Sequence, residues 1–508
     1  MAEEKQFNVR LLMLTTLLIS GCSIIYEVLI SSVSSYLLGD SIKQFSITIG
    51  LYMSAMGIGS YLSRYLRRNL FDWFVFVEIG VGIIGGFTSM ILFVSYVHVQ
   101  AYTLVMYFQI IVIGVLVGLE IPLLTRIIEE NNPNLRINLS TLFSFDYIGG
   151  LIGSIAFPLL LLPQLGYFTT SFVTGCLNII VALIIVYQYK QQIKRFKIFS
   201  TIAIVSLGIM LVGALFSEEI ASGVEGRLYR DQVIYSKQTP YQNIVMTKHK
   251  DDLRLFIDGN LQFSAMDEYR YHECLVHIPM MATPTREKVL ILGGGDGLAA
   301  REVLKYEDVQ EVTLVDLDKE IVELCKTNKE ISTLNKNALS SEKLKIVNED
   351  GYKYLEKVDE LYDVIIVDFP DPNNETLNKL YTNVFYRLVT NHLKETGAMS
   401  VQSTSPYYAK KAYWCIHKTI EQEGLEVVPY HVQVPSFGDW GFQLVTKHPV
   451  DVKNFKLESS TQFLNEETLE RLFIFSKDEI IDKEQIETNT LSSPKLMSYY
   501  LEAVKEWR

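Results

Sequence analysis

Long apolar stretches dominate the first 216 residues of the chain, while the remainder mixes apolar and polar positions like a water-soluble protein. Seven stretches are long enough to cross a membrane as helices, and the first lacks a small-residue cleavage site, so it is expected to be retained as a span. They cover residues 11–38, 44–63, 73–97, 101–125, 140–163, 168–188 and 198–216. The pattern predicts an N-terminal, α-helical multi-span membrane domain over residues 1–218.

A different pattern follows in the second half. Apolar and polar residues alternate from residue 222 to about 285, which predicts a small antiparallel sheet in a domain of residues 219–285. Strand-like and helix-like segments then take turns, which predicts a doubly wound, mostly parallel sheet over residues 286–450, followed by a helical tail at 451–508. Strands are expected at 288–293, 311–316, 344–348, 363–368, 397–402 and 426–433, and helices at 319–327, 383–393 and 407–423.

Charge also separates the two halves. Residues 217–508 hold 34 Lys and Arg against 48 Asp and Glu, a net charge of −14, and such an acidic surface argues against a nucleic-acid partner. In the membrane half, basic residues concentrate after the second, fourth and sixth spans, which predicts a cytoplasmic N-terminus. Seven crossings would then place the second half outside the cell. We expect instead that one segment does not cross fully, so that the second half faces the cytosol.

The cysteines and histidines predict neither a disulfide framework nor a metal site. The five cysteines form no C-x-x-C pair, and the eight histidines show no H-E-x-x-H arrangement or other zinc-ligand spacing.

A glycine-rich turn follows the first strand of the predicted parallel sheet. Residues 289–297 read V-L-I-L-G-G-G-D-G and lead into a helix-like run, a pattern typical of a nucleotide site at a helix N-terminus. Asp296 stands where a carboxylate would repel a phosphate, so a ligand carrying positive charge is expected. Further aspartates end or follow the next strands, at Asp316, Asp350, Asp368 and Asp371.

Ligands of doubly wound sheets lie beyond the carboxyl ends of the strands, where these five aspartates are expected to meet. Each alone can be explained as a helix cap or a solvated loop residue. Five carboxylates in one crevice repel one another unless something cationic lies among them. The sequence therefore predicts a site for a cationic, nucleoside-like ligand.

Six short motifs occur in order along the second half. They are T-P-Y-Q-N-I (239–244), I-D-G-N-L-Q (257–262), D-E-Y-R-Y-H-E (267–273), G-G-G-D-G (293–297), E-D-G (349–351) and V-D-F-P-D-P (367–372). Together they resemble the polyamine aminopropyltransferases of the spermidine synthase type, from about Pro240 to Lys447. The apolar half and the tail through Trp507 resemble the subset of that family with an N-terminal multi-span domain.

The resemblance implies a Rossmann-like, methyltransferase-type catalytic domain that transfers an aminopropyl group from decarboxylated S-adenosylmethionine to a polyamine. Putrescine is the expected acceptor, methylthioadenosine is released, and neither a metal nor another cofactor is implied. Asp368 is the implied catalytic base, and Asp371 would hold a more distant amine of the acceptor. On the acceptor side the resemblance adds Tyr271, His272 and Gln402, and on the donor side Gln242, Gln262, Asp296, Asp316, Asp350 and Gly351.

Asp296 has a further implied role, because it would bind the propylamine of the donor and repel the α-carboxylate of ordinary S-adenosylmethionine. The implied partners are these two substrates, the lipid bilayer of the cell membrane, and a second copy of the chain bound through the synthase domain.

The chain departs from the family pattern in three places. Asp316, expected at the ribose hydroxyls, stands where glutamate is more common. Phe437, in P-S-F-G-D-W-G-F (435–442), takes the place of a common tyrosine, and the loop after Pro372 differs in charge. The last two changes put the choice of acceptor amine in doubt.

Two alternatives to aminopropyl transfer stay open from the sequence. The first is an S-adenosylmethionine-dependent methyltransferase, against which Asp296 and the D-x-x-D-P segment argue. The second is a polyamine transporter or sensor, suggested by the carboxylates Glu27, Glu120 and Asp146 within the apolar segments. A plain helix bundle with small-residue packing seams also explains those segments.

Overall fold

The computed structural model describes residues 8–38, 41–98, 102–131, 135–229 and 231–507. The chain divides into two compact units, Met1–Pro240 and Tyr241–Arg508. The predicted fold class is confirmed: apolar helices come first, then a small antiparallel sheet, and then a doubly wound sheet.

Nine α-helices and one strand make up the described part of the first unit. They are α1 (Val9–Leu38), α2 (Ser41–Leu62), α3 (Leu70–Gly86), α4 (Thr88–His98), α5 (Tyr102–Asn131), α6 (Leu135–Ala156), α7 (Leu162–Gln188), α8 (Phe196–Leu215), α9 (Ser217–Leu228) and β1 (Gln232–Gln238). Helices α1 and α6, α2 and α5, and α3 and α7 pack against each other.

Glycines let these helices approach closely. A Cβ atom on Gly59 of α2 would lie 2.1 Å from the carbonyl oxygen of Val115 in α5, and one on Gly153 of α6 would lie 2.4 Å from that of Gly21 in α1. Larger residues would force the paired backbones apart, so these are packing seams of the kind common between membrane helices.

The structure counts the membrane-spanning helices differently from the sequence. Among the described residues, five helices are long and apolar enough to cross a membrane, or six if the bent pair α3 and α4, which meet at 42°, forms one span. The predicted spans 140–163 and 168–188 fall within one helical stretch, Leu139–Gln188, interrupted at Gly166 by a non-helical φ of 68° and ψ of −176°. The count differs because neither break, the one between α3 and α4 or the one at Gly166, is a polar loop that would separate two independent spans. Seven crossings stay a prediction.

The carboxylates of the apolar segments differ in burial. Glu120 is buried, whereas Glu27 and Asp146 are partly exposed. Glu78 of α3, which the sequence did not single out, is fully buried, and its Oε2 accepts a 3.0 Å hydrogen bond from Asn178 Nδ2 in α7. Two acidic side chains therefore lie inside the bundle, and a transport role for them stays a prediction.

The second unit opens with the antiparallel strands β2 (Asn243–His249), β3 (Asp252–Ile257) and β4 (Asn260–Ser264). Helix α10 (Glu268–Ala282) follows them. The small-sheet region was predicted to run from 222 to about 285, but its ends are helical, because α9 reaches residue 228 and α10 begins at 268. The alternating pattern extends into α10 because its buried face is wide and mixes polar with apolar residues.

A seven-stranded sheet forms the rest of this unit, in the order β10-β11-β9-β8-β5-β6-β7. The strands are β5 (Lys288–Gly293), β6 (Glu311–Asp316), β7 (Leu344–Asn348), β8 (Tyr362–Asp368), β9 (Leu393–Gln402), β10 (Glu426–Val434) and β11 (Gly438–Thr446). Strands β5 to β9 run parallel, and β11 is antiparallel to both β9 and β10. Six strands were predicted close to these positions, and β11 was missed.

Helices cover both faces of this sheet, since the neighbouring strand residues Leu290 and Ile291, which point to opposite faces, are both fully buried. They are α11 (Leu298–Val303), α12 (Lys319–Thr327), α13 (Lys329–Leu334), α14 (Gly351–Lys357), α15 (Glu375–Asn378), α16 (Asn383–Asn391), α17 (Lys410–Glu421), α18 (Glu466–Arg471) and α19 (Lys495–Trp507). The carboxyl ends of β5, β6 and β8 therefore meet at one edge, where the predicted site residues lie.

Candidate active site

The glycine-rich turn joins the first two parallel strands at this edge. Gly293, Gly294 and Gly297 have φ values of 87°, 67° and 79°, a left-handed region that favours glycine. The backbone N–H of Gly295 donates a 3.0 Å hydrogen bond to Asp316 Oδ2, and a Cβ atom on Gly295 would lie 2.6 Å from that oxygen. The turn is therefore closed onto the carboxylate at the end of β6.

Asp296 lies in this turn at the start of α11. Its Oδ1 accepts a 2.9 Å hydrogen bond from the backbone N–H of Leu298, and its carbonyl oxygen accepts one of 2.9 Å from Asn335 Nδ2. Burial raises the pKa of Asp296, while the nearby His272 lowers it. The Asp296 side chain is thus held by its hydrogen bond to the start of α11, and His272 lies close enough to influence its charge.

Asp368 ends β8 directly beside the turn, since Gly293 and Asp368 are register partners. The phenol of Tyr271 donates a 2.6 Å hydrogen bond to Asp368 Oδ1. Burial raises the pKa of Asp368 to about 6, His272 and Tyr271 oppose the rise, and Asp296 adds to it. A carboxylate with a raised pKa accepts a proton more readily than one in water.

A buried ion-pair network lies behind these carboxylates, and the sequence analysis missed it. Nδ1 of His272 lies 2.8 Å from Glu268 Oε2. Arg301 in turn donates two hydrogen bonds to the carboxylate of Glu268, of 2.6 and 2.9 Å. Burial lowers the pKa of His272, but Glu268, Asp296 and Asp368 together raise it to about 9. His272 therefore carries a positive charge at neutral pH next to the aspartates.

Asp371 is bound through both carboxylate oxygens. Gln402 Nε2 donates to its Oδ1 over 3.2 Å, and the phenol of Tyr500 donates to its Oδ2 over 2.9 Å. Burial raises the pKa of Asp371 to about 6, and these two hydrogen bonds oppose the rise. Gln402 also donates to Tyr381 Oη and to the carbonyl oxygen of Phe369, so it connects β9 to the segment after β8.

Asp350 precedes α14 and caps it. Its Oδ1 accepts a 2.9 Å hydrogen bond from the N–H of Tyr352, and its Oδ2 accepts one of 2.6 Å from Lys379 Nζ. Burial raises the pKa of Asp350, but Lys379 and the helix N–H groups outweigh this and lower it overall. Gly351 follows at close quarters, since a Cβ atom there would lie 3.3 Å from the ring of Phe369.

The two predicted glutamines lie on the small sheet. Gln262 is in β4, and its Nε2 donates a 3.2 Å hydrogen bond to the carbonyl oxygen of Asn260, while Gln242 is partly buried before β2. No described hydrogen bond joins Gln262 to the aspartates. The same sheet contributes Asp258, a carboxylate that sequence analysis did not single out. Burial raises its pKa to about 6, its hydrogen bond to Asn243 N–H opposes this, and the charge of Asp318 adds to the rise.

Aromatic rings surround Tyr271. Its ring centroid lies 6.1 Å from that of Phe437, 6.5 Å from that of Trp440 and 5.2 Å from that of Phe442. Phe437 is thus close to Tyr271, a residue expected on the acceptor side, and its effect on acceptor choice stays a prediction. These rings offer an apolar wall with a phenol at one end, which suits the methylene chain of an alkyl amine.

Two other features do not include the aspartates. A cavity of about 680 Å³ is lined by Glu268 and Arg301 but by none of the five aspartates.

Among the described residues, His431, Asp439 and Glu479 form one group whose ligand atoms are close enough to hold a metal ion. The sequence missed it because Glu479 is distant in the chain. His431 uses Nδ1 for a 2.7 Å bond to Asp439 and Nε2 for a carbonyl oxygen.

Known proteins are similar to this chain over part or nearly all of its length. Residues 268–456 match the spermine/spermidine synthase domain. The chain is 45% identical over 493 residues to a polyamine aminopropyltransferase of Oceanobacillus iheyensis, with 96% of each chain covered. It is 41% identical over 496 residues to one of Leptospira interrogans, with 98% of each covered. It is also similar to the crystal structure of a spermidine synthase from Thermotoga maritima, with 30% identity, a TM-score of 0.45, and coverage of 48% of this chain and 84% of that chain.

Proposed function

The chain belongs to the polyamine aminopropyltransferase family, and from this premise we propose that Asp368 and Asp371 hold a diamine acceptor and that the acceptor is putrescine. The enzyme transfers an aminopropyl group from decarboxylated S-adenosylmethionine without a metal or other cofactor. Membership of this family excludes the alternative that the chain is an S-adenosylmethionine-dependent methyltransferase. The observation that carries the proposal is the position of the aspartates around the ends of β5, β6 and β8.

On the donor side, Asp296 binds the propylamine group, Asp316 the ribose hydroxyls, and Asp350 with Gly351 the adenine. Support comes from the turn at Gly295, which holds Asp316 beside the glycines. Because Asp296 is partly buried, the carboxylate of ordinary S-adenosylmethionine would face a like charge with little water to screen it. Gln242 and Gln262 contact the donor from the small sheet.

In the reaction, a neutral acceptor nitrogen attacks the propyl carbon bonded to the sulfonium sulfur. The new carbon–nitrogen bond forms as the carbon–sulfur bond breaks, and methylthioadenosine leaves with the bonding electron pair. The sulfonium is already an activated leaving group, so the enzyme contributes mainly orientation and removal of a proton from the amine. Asp368 accepts that proton, and Tyr271 fixes its carboxylate through the 2.6 Å hydrogen bond.

The acceptor is a diamine because two carboxylates serve its two nitrogens. Asp368 is beside the attacking amine, and Asp371 pairs with the distal ammonium group. Both carboxylates lie near Tyr271. Burial is the largest cause of the raised pKa of the Tyr271 phenol, and the charges of Asp368 and Asp371 raise that pKa further.

A competition experiment tests the choice of acceptor. Purified full-length enzyme is given decarboxylated donor with an isotope label in its aminopropyl group, together with an equimolar mixture of putrescine, cadaverine and spermidine, and the labelled products are identified by mass. We expect spermidine as the main product. Spermine as the main product would overturn the proposed acceptor, while the assignment to the family would stand.

The first unit is a membrane anchor, and the second unit faces the cytosol, where the donor is made. Helices of the first unit are long and apolar enough to cross a bilayer. Six crossings, with the bent pair and the stretch Leu139–Gln188 each counted once, return the chain to the side on which it begins. Seven crossings, with that stretch broken at Gly166, would place the second unit outside.

Protease added to intact cells distinguishes the two topologies. We expect an epitope at the C-terminus to be protected until the cells are permeabilised. Cleavage in intact cells would contradict the cytosolic location. Association of two copies through the second unit stays a prediction, which the mass of the purified enzyme in detergent would test.

A further inference from the structure

The C-terminal helix α19 reaches the acceptor side of the site. Its residue Tyr500 donates the 2.9 Å hydrogen bond to Asp371 Oδ2. This is the shorter of the two hydrogen bonds that the carboxylate accepts from side chains, because Gln402 Nε2 lies 3.2 Å away and also donates to two other oxygens. The synthase domain matched in the comparison ends at residue 456, so Tyr500 lies beyond it.

Several hydrogen bonds between side chains and the backbone hold this helix in place. Asn489, fully buried before the helix, donates through Nδ2 to the carbonyl oxygens of Asn378 and Tyr381, over 3.3 and 3.0 Å. The N–H of Met497 donates over 3.2 Å to Asn378 Oδ1. Leu496 is fully buried in the core of the second unit. The tail is thus bound to the segment after Asp371 at two places, before α19 through Asn489 and in the first turn of α19 through Met497.

We propose that Tyr500 is a positioning residue for acceptor binding, whose phenol orients the carboxylate of Asp371 toward the distal ammonium group of the polyamine. This inference rests on the acceptor role proposed for Asp371. A carboxylate that accepts one hydrogen bond on each oxygen cannot rotate freely, and each oxygen keeps a lone pair for an ammonium group. Orientation before binding reduces the entropy that the acceptor's binding must offset.

The same hydrogen bond favours the charged form of Asp371. Burial raises the pKa of this side chain to about 6, and Tyr500 opposes the rise. The other groups that face the carboxylate are Gln402 and the phenols of Tyr271 and Tyr381, and all three are neutral at this pH. Without the phenol of Tyr500, Asp371 binds its proton at higher pH and loses the ammonium group there.

Steady-state kinetics of full-length Tyr500→Phe with putrescine test this role. We expect the acceptor KM to rise roughly tenfold, as for the loss of one hydrogen bond to a charged group, while kcat and the donor KM stay within about twofold. The acid limb of kcat/KM for putrescine moves to higher pH. A merely structural role would instead lower kcat and the melting temperature and leave that limb in place.

Tyr499→Phe is the matched control, because it removes a phenol from the same helix whose oxygen accepts a 3.4 Å hydrogen bond from the N–H of Glu487 instead. An unchanged acceptor KM in Tyr500→Phe, or an equal rise in both variants, overturns the inference. Asp371→Asn separates this failure from that of the proposed function. If Asp371→Asn leaves the acceptor KM unchanged, the role of Asp371 itself is wrong.

Discussion

The phenol oxygen of Tyr271 lies 2.6 Å from Asp368 Oδ1, at the point where the first parallel strands end. Tyr271 is buried and stands on α10, whereas Asp368 ends β8, so the hydrogen bond joins the helix after the small sheet to the large sheet. The neighbouring residue on α10, His272, brings a positive charge to the same carboxylate. Two residues of α10, outside the strand of Asp368, therefore influence the pKa of its carboxyl group.

Replacing Tyr271 with phenylalanine shifts the pH dependence of the reaction. Asp368 works as a base only when ionised, so activity is lost as the pH falls through about 6. The Tyr271 hydrogen bond lowers this pKa, so its loss moves the acid limb of kcat/KM to higher pH. Tyr407→Phe, an exposed phenol, is the control and should keep the wild-type profile. Identical limbs in both variants would contradict the coupling.

Asp368→Asn should lose most of the turnover, by about 10²–10⁴-fold, the usual contribution of a general base. Donor binding should largely survive, because Asp368 is assigned to the acceptor. Calorimetric titration with the donor and a methylthioadenosine assay measure the two quantities. Asp359→Asn, at an exposed position before the same strand, should retain full rate. Near-full activity of Asp368→Asn would remove Asp368 from the mechanism.

Asp296→Asn should weaken the choice between the two forms of the donor. The KM for decarboxylated S-adenosylmethionine should rise, because an ion pair with the propylamine group is lost. Inhibition by ordinary S-adenosylmethionine should strengthen, because its carboxylate no longer meets a like charge. The ratio of the two affinities is the measurement. An unchanged ratio would show that another group selects the donor.

Arg301→Met should destabilise the second unit strongly. Glu268 and Arg301 are 2% and 8% exposed, and removal of Arg301 leaves the buried carboxylate with His272 as its remaining cationic partner, which costs up to about 3–5 kcal/mol. The melting temperature of the purified enzyme should fall by several degrees. Lys411→Met, which breaks an exposed pair with Glu502, should change it little. Equal melting temperatures would mean that the buried pair adds nothing to stability.

The sequence predicted the parallel sheet well because buried strands appear as uninterrupted apolar runs. Strands β5, β6 and β7 were predicted at their observed bounds, and β8 within one residue. The turn at Gly293–Gly297 was predicted for a related reason, since left-handed backbone there requires glycine. Strand β11 was missed because Trp440 and its polar neighbours lack a long apolar run.

The contacts behind the site could not be predicted, because they join residues that are distant in the chain. Nothing in the local pattern connects Arg301 to Glu268, or Tyr500 to Asp371, although each pair is joined by hydrogen bonds in the fold. The count of membrane crossings failed for another reason. A bend between α3 and α4, or a non-helical Gly166, does not change the hydropathy of the segment.

The most direct test of the whole account measures both products of one turnover. Purified full-length enzyme is incubated with decarboxylated S-adenosylmethionine and putrescine, and methylthioadenosine and spermidine are quantified by mass. The account predicts equal amounts of the two products, and about 10²–10⁴-fold less of both in Asp368→Asn. No methylthioadenosine from this donor, together with a methylated amine from ordinary S-adenosylmethionine, would contradict it.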